Sequence, residues 1–138
     1  MSFITETDLL TGVYAEQLDA ITRQDDTVPQ FAIDAAEEEA KGYLSPKYNV
    51  TTMFALAGAD RPKVLVLIIR DIAIYNMLSI ANPGIDYKSR KDLADRAIEW
   101  LKRVQAGKVN PPSLTLAPVD EEKNEILMSS NTKRTQHY

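Results

Sequence analysis

Between Val28 and Leu44 the apolar positions Ile33, Ala36, Ala40, Tyr43 and Leu44 share one face at helical spacing, while Asp34, Glu37, Glu38 and Lys41 fall largely elsewhere. That pattern predicts an amphipathic helix from Val28 to about Leu44. Asp25-Asp26-Thr27 marks its start as a turn and cap, Thr27 and Gln30 have capping-box spacing, and Pro29 falls in the first turn, where a missing N–H is harmless. Ser45-Pro46 stops it. Two shorter helices are expected upstream. Thr5 with Asp8 is a weaker relative of the capping box and opens a helix near Glu6–Thr11, which Gly12 breaks. Tyr14, Leu18 and Ile21 then mark a helix over Tyr14–Thr22.

The run Val64-Leu65-Val66-Leu67-Ile68-Ile69 alone would suit a buried strand, because branched side chains favour sheets. Length decides otherwise. The apolar pattern continues through Ile72, Ile74, Met77, Leu78 and Ile80, about twice the length of a usual strand. A helix apolar almost all round belongs at the centre of a core. Asp60 is expected to cap it with Pro62 in the first turn, and Asn82-Pro83-Gly84 to end it. From Ser45 to Asp60 the sequence reads as a long loop. Its Tyr48, Val50, Met53, Phe54 and Leu56 are too apolar to lie wholly in water, so the domain or a neighbouring subunit must cover them. A last helix starts near Asp86 to Ser89 and turns Leu93, Ala97, Trp100, Leu101 and Val104 inward. Gly107 sits where its C-terminal cap belongs, with Lys102 and Arg103 in the last turns, where cations suit the helix dipole. From Lys108 the helical period is lost and Pro111-Pro112 forbids its return. The expected fold is all-α: a compact bundle of four to five helices with a central buried helix over residues 1–109, plus an extended or disordered C-terminal arm over 110–138.

Composition adds mainly exclusions. The 138 residues have room for one domain with its own core. Absence of cysteine excludes disulfides, thiolate metal sites and a cysteine nucleophile. The single histidine, His137, is penultimate, where fixed catalytic geometry is rarely supplied, so no Ser-His-Asp arrangement or histidine metal site is expected. Glycines are scattered and form neither a P-loop nor a dinucleotide fingerprint. Glu37, Glu38 and Glu39 point about 100° apart on a helix and read as a solvated face rather than an ion site. Asp25-Asp26 lacks the alternating ligands, glycine and closing glutamate of a calcium loop. The first residues lack the basic flank and apolar stretch of a signal peptide, and no segment has the run of about 20 apolar residues that spans a membrane. No enzyme and no cofactor are expected.

Charge is divided along the chain: residues 1–50 carry ten acids and three bases, residues 51–138 ten acids and thirteen bases. Opposed halves suit head-to-tail packing of identical copies, and equally plain solubility. Arg70 and Asp71 stand in the middle of the most apolar helix, where an unpaired charge is costly; partners on other helices or another subunit are expected, rather than each other. Lys88, Arg90, Lys91, Lys102 and Arg103 belong to a stretch from Lys88 to Lys108 with seven bases and three acids. No aromatic is interleaved on its outer face, so a solvated face or docking surface fits better than a nucleic-acid footprint. Ile126, Leu127 and Met128 form an apolar run in the arm, with Lys133 and Arg134 in the polar segment that follows, and complete the candidate partner contacts.

Five segments, in order along the chain, carry a resemblance. They are Phe3-Ile4-Thr5 with Asp8-Leu9; Ala35-Ala36-Glu37-Glu38-Glu39-Ala40 with Gly42-Tyr43-Leu44 and Tyr48; Arg70-Asp71-Ile72-Ala73-Ile74-Tyr75; Arg96-Ala97-Ile98-Glu99-Trp100-Leu101-Lys102 with Gly107-Lys108-Val109; and Ser129-Ser130-Asn131 with Lys133-Arg134. Together they resemble the small proteins of Mu-like phages and prophages grouped with head–tail connectors. The loop Val50–Asp60 is longer than in such proteins, and the turn Gln24–Thr27 lacks their glycine-containing acidic run, so no ion-binding expectation carries over. The resemblance implies a ring-forming adaptor that joins portal and tail proteins by binding alone, present in the virion and, during assembly, in the bacterial cytoplasm. Its implied partners are portal and tail proteins and its own copies, with nucleic acid only in incidental proximity as packaged DNA, and no membrane. The rival expectation is a small helix-turn-helix DNA-binding or packaging protein, resting on the basic last helix. A further rival, a carboxylate-only helical enzyme, would need an ion beside two or more of Asp25, Asp26, Asp34 and Glu38.

Overall fold

Each helix expected from the apolar spacing is present in the computed structural model, which describes residues 3–13, 15–22, 27–81 and 87–117. They are α1 (Glu6–Leu9), α2 (Ala15–Thr22), α3 (Thr27–Leu44), α5 (Lys63–Ala81) and α6 (Tyr87–Gln105). One more, α4 (Val50–Phe54), and a 3-10 turn at Gly58–Asp60 lie where the sequence suggests only a loop. Among the described residues there is no strand, only an isolated antiparallel bridge between Tyr48 and Leu116. Asp25-Asp26, Tyr14, Asn82-Pro83-Gly84 and the chain from Pro118 onward lie outside the described residues.

The fold is an all-α bundle organised on α5. It packs against both α3 and α6, which also touch each other, while α1 and α2 lie on it as well. Ile72, Ala73 and Ile74 are consecutive and all buried. Successive helical side chains diverge by about 100°, so three in a row are buried only when neighbours cover more than half the circumference. Leu65, Ile69, Met77 and Leu78 extend the buried length. Each such side chain taken from water contributes about 1.5–3 kcal/mol. No described helix is long and apolar enough to cross a membrane.

The flanking helices keep the amphipathy read from sequence. In α3, Ile33, Ala36, Ala40 and Leu44 are buried and Tyr43 is half-buried. In α6, Ala94, Ala97, Leu101 and Val104 are buried, while Leu93, Ile98 and Trp100 are partly so. Gly107, at φ 79°, ends α6: its N–H donates to Val104 O at 3.1 Å, and the Lys108 N–H reaches Arg103 O at 3.0 Å. This pair of bonds is a Schellman closure, which the left-handed glycine permits.

Three expectations need correction. The segment after Ser45 is not a plain loop: Asn49 caps α4 through its side chain, Thr52 N–H donating to Oδ1 at 3.1 Å, and Met53 and Phe54 enter the core. Its cover comes from the same chain. Phe54 meets Phe3 with ring centroids 4.9 Å apart, and Leu114 is buried. Asp60 closes the 3-10 turn instead of capping α5, and Pro62 stands just before α5, its carbonyl accepting from Val66 N–H at 3.0 Å. The Glu37-Glu38-Glu39 run is not uniformly solvated either. Glu37 is 8% exposed, because the residues before α1 lie against it, Ile4 N–H meeting its carboxylate.

Residues 110–117, the first part of the expected arm, run along the body. Asn49 N–H donates to Thr115 O at 2.8 Å, Ala117 N–H to Lys47 O at 3.1 Å, and the Lys47 ammonium to the Asn110 side chain.

Candidate functional site

A four-residue helix such as α1 is too short to persist by propensity, since nucleation is unfavourable. Its capping box forms as expected: Thr5 N–H donates to Asp8 Oδ2 at 2.8 Å and Asp8 N–H to Thr5 Oγ1 at 3.4 Å. Long-range polar contacts then fix it to the bundle. Arg61 donates through Nη1 to Asp8 Oδ2 at 2.6 Å and to Phe3 O at 2.7 Å, through Nη2 to Asp8 Oδ1 at 3.0 Å, and through Nε to Gly58 O at 2.9 Å. The planar guanidinium thus ties three backbone segments with one side chain. Arg61 holds the Asp8 carboxyl below the usual carboxylate range, burial opposing and the Thr5 bonds assisting. On the other side of this segment Ile4 N–H donates to Glu37 Oε1 at 2.8 Å. Burial pushes the Glu37 carboxyl up, partly offset by the Ile4 N–H and by Lys41.

A second knot surrounds the turn after α1. Arg70 and Asp71, expected to look elsewhere for partners, pair with each other: Nη2 and Oδ1 are 2.8 Å apart and Nε adds a bond at 3.2 Å. The long arginine stem bends back to its neighbour although the two Cβ directions diverge. Arg70 Nη1 also donates to Thr11 Oγ1 at 3.0 Å, so part of the expectation, a partner outside α5, holds. From α6, Arg90 Nη2 donates to Gly12 O at 2.7 Å. Gly12 is enclosed by this arrangement: a Cβ there would stand 2.7 Å from Ile74 Cδ1 and 3.1 Å from Arg70 Nε.

The other basic residues of α6 divide into two sets. Lys91 pairs with Asp95 at 3.3 Å and Arg103 with Glu99 at 3.4 Å, both one helical turn apart, while Lys88 and Lys102 are exposed. With Arg96, also exposed, the helix presents a face of paired and open cations interleaved with the acids Asp92, Asp95 and Glu99. Ile126, Leu127, Met128, Lys133 and Arg134 lie outside the described residues. Among the described residues, no three His, Asp or Glu side chains are grouped to hold a metal.

The surface left over beside these knots is apolar. A groove of about 500 Å3 runs between the end of α1, the 3-10 turn and the first turns of α5, lined by Thr11, Gly58, Ala59, Val66 and Leu67 with the Asp8–Arg61 pair and Lys63. Val64 and Leu67 on α5 are each 47% exposed, and Leu10 after α1 is 46% exposed. Leu67 lines this groove, whereas Leu10 lines a neighbouring depression with Thr11, Gly12 and Arg90. Sequence reasoning missed the groove. On an all-apolar helix, hydropathy does not distinguish Leu67 from the fully buried Leu65 or Ile69.

A family model described as Bacteriophage Mu, Gp36 matches residues 3–130, a span that includes every described residue, and no curated protein matches the chain.

Proposed function

The chain belongs to the Bacteriophage Mu Gp36 family, and from that premise we propose that it is a structural protein of phage assembly that joins the filled head, at its portal, to the tail. In this reading it works as a ring of identical copies, by protein–protein binding alone, without catalysis or a cofactor. The carrying observation is the apolar groove lined by Val66 and Leu67, beside the Asp8–Arg61 pair, whose charges are engaged within the chain. Exposed apolar surface next to satisfied polar groups suits docking of another protein. The mixed charges of α6 favour this reading over a helix-turn-helix: Asp92, Asp95 and Glu99 are exposed among its bases and would repel phosphates, and Arg90 is engaged by Gly12 O.

The test is a phage carrying a nonsense mutation in this gene, examined by electron microscopy of the lysate. DNA-filled heads and complete tails that remain separate are the expected outcome, restored to joined particles by the wild-type gene. Removal of Val119–Tyr138 is expected to give the same unjoined particles. Normal yields of joined particles from the nonsense mutant would refute the reading, and an accumulation of empty heads would move the protein to DNA packaging.

A further inference from the structure

We propose that the groove beside α5 receives the Ile126-Leu127-Met128 segment of a second copy of this chain; this deepens the ring reading above and rests on it. The groove is apolar along Gly58, Ala59, Val66 and Leu67, and its charged groups are unequal. Asp8 is consumed by Arg61, whereas Lys63 is exposed with no partner among the described residues. Asp60 stands on the neighbouring 3-10 turn but does not line the groove. The fitting ligand is therefore a short apolar run with acids beside it.

The chain itself carries one. Beyond Ala117, the last described residue, it reads Asp120-Glu121-Glu122-Lys123-Asn124-Glu125 and then Ile126-Leu127-Met128, the only three consecutive large apolar residues in 118–138. The acids would lie toward Lys63 as the apolar triplet enters beside Leu67. The exit point is set by the Ala117 N–H bonded to Lys47 O. From there residues 118–126, at about 3.3 Å each when extended, can reach about 30 Å, enough to cross onto a touching neighbour. Between copies, groove and segment are two different surfaces of one molecule, the heterologous contact that repeats around a closed ring. Within one copy the same contact would leave neither surface for a neighbour.

The chain has no cysteine, so a nitroxide on Thr132→Cys gives a single labelled position in the full-length protein. Isotope-labelled protein without nitroxide is mixed with nitroxide-bearing protein without isotope, and amide intensities are read by NMR. Loss of intensity at residues 58–67 is expected, growing with concentration, and abolished both by Leu67→Asp in the isotope-labelled chain and by Leu127→Asp in the nitroxide-bearing chain. Circular dichroism melting checks that Leu67→Asp stays folded, and Leu127→Asp, outside the described bundle, tests the contact from its other side. No loss of intensity, loss only when nitroxide and isotope share one chain, or loss that survives both substitutions would overturn the proposal. Unjoined particles from the nonsense mutant together with any of these results would remove the self-docking contact and leave the connector reading standing.

Discussion

Arg61 shows how one side chain can hold a segment that has no stability of its own. It binds the carboxylate of Asp8 with both terminal nitrogens and also the carbonyls of Phe3 and Gly58. Arg61→Ala should lower stability by about 2–4 kcal/mol in urea unfolding, because it leaves Asp8 partly buried without its cation. Arg61→Lys should recover little of this, since an ammonium cannot bind in a fork. The two carboxylates near this segment respond to acid with opposite signs. The Asp8 value is depressed, so its stabilisation is present above the unfolded value and lost as pH falls through the folded one. The Glu37 value is raised, so stability declines as pH rises from the unfolded value through the folded one. Glu37→Gln keeps an oxygen acceptor for Ile4 N–H and removes the buried charge. It should match or exceed the wild type near pH 7, by an amount that shrinks toward about pH 4, measured by urea unfolding at each pH.

Among the elements, the turn after α1 is closely packed at Gly12. Gly12 lies against Ile74 and Arg70, both held in place: Ile74 is fully buried and Arg70 is bonded to Asp71 and Thr11. Gly12→Ala should therefore destabilise by about 1–3 kcal/mol, as overpacking does. The added Cβ meets Ile74 Cδ1 first, so Ile74→Val, which deletes that atom, should partly rescue it. Thermal melts of the two single variants and the double variant would reveal this as a non-additive cycle. Legibility at this scale was uneven. The apolar stripes of amphipathic α3 and α6 could be read, because a helix with one wet face leaves its period in the sequence, although the burial of Glu37 could not. The buried α5 was recognised by length instead. The short α4 was missed because one turn and its neighbours hold too few residues to show any period.

For the whole molecule, the body extends past the boundary suggested by the end of α6. Leu114 is buried, Thr115 accepts from Asn49, and Ala117 donates to Lys47. A protein ending at residue 109 should be less stable than one ending at 117 by about 2–4 kcal/mol, from the lost burial of Leu114 and the loss of these bonds. Equal urea midpoints would show that residues 110–117 add nothing to the fold. Of the candidate contacts, Arg70, Asp71, Arg90, Lys91 and Arg103 proved to be engaged within the chain, four of them by groups within about one helical turn. The groove beside Lys63 and Leu67 was not legible at all, since it lies where α1, the 3-10 turn and α5 meet.

The order of residues by itself determined the number and placement of the long helices, the central position of α5, the cap at Thr5 and the closure at Gly107. These depend on spacing and on local backbone preference, which act over a few neighbouring residues. Only the tertiary structure decided that Glu37 is buried, that Arg61 reaches Asp8, and that Val64 and Leu67 face water while Leu65 does not. Those outcomes depend on which element covers which face, and residues as far apart as Asp8 and Arg61 meet only once the helices have packed.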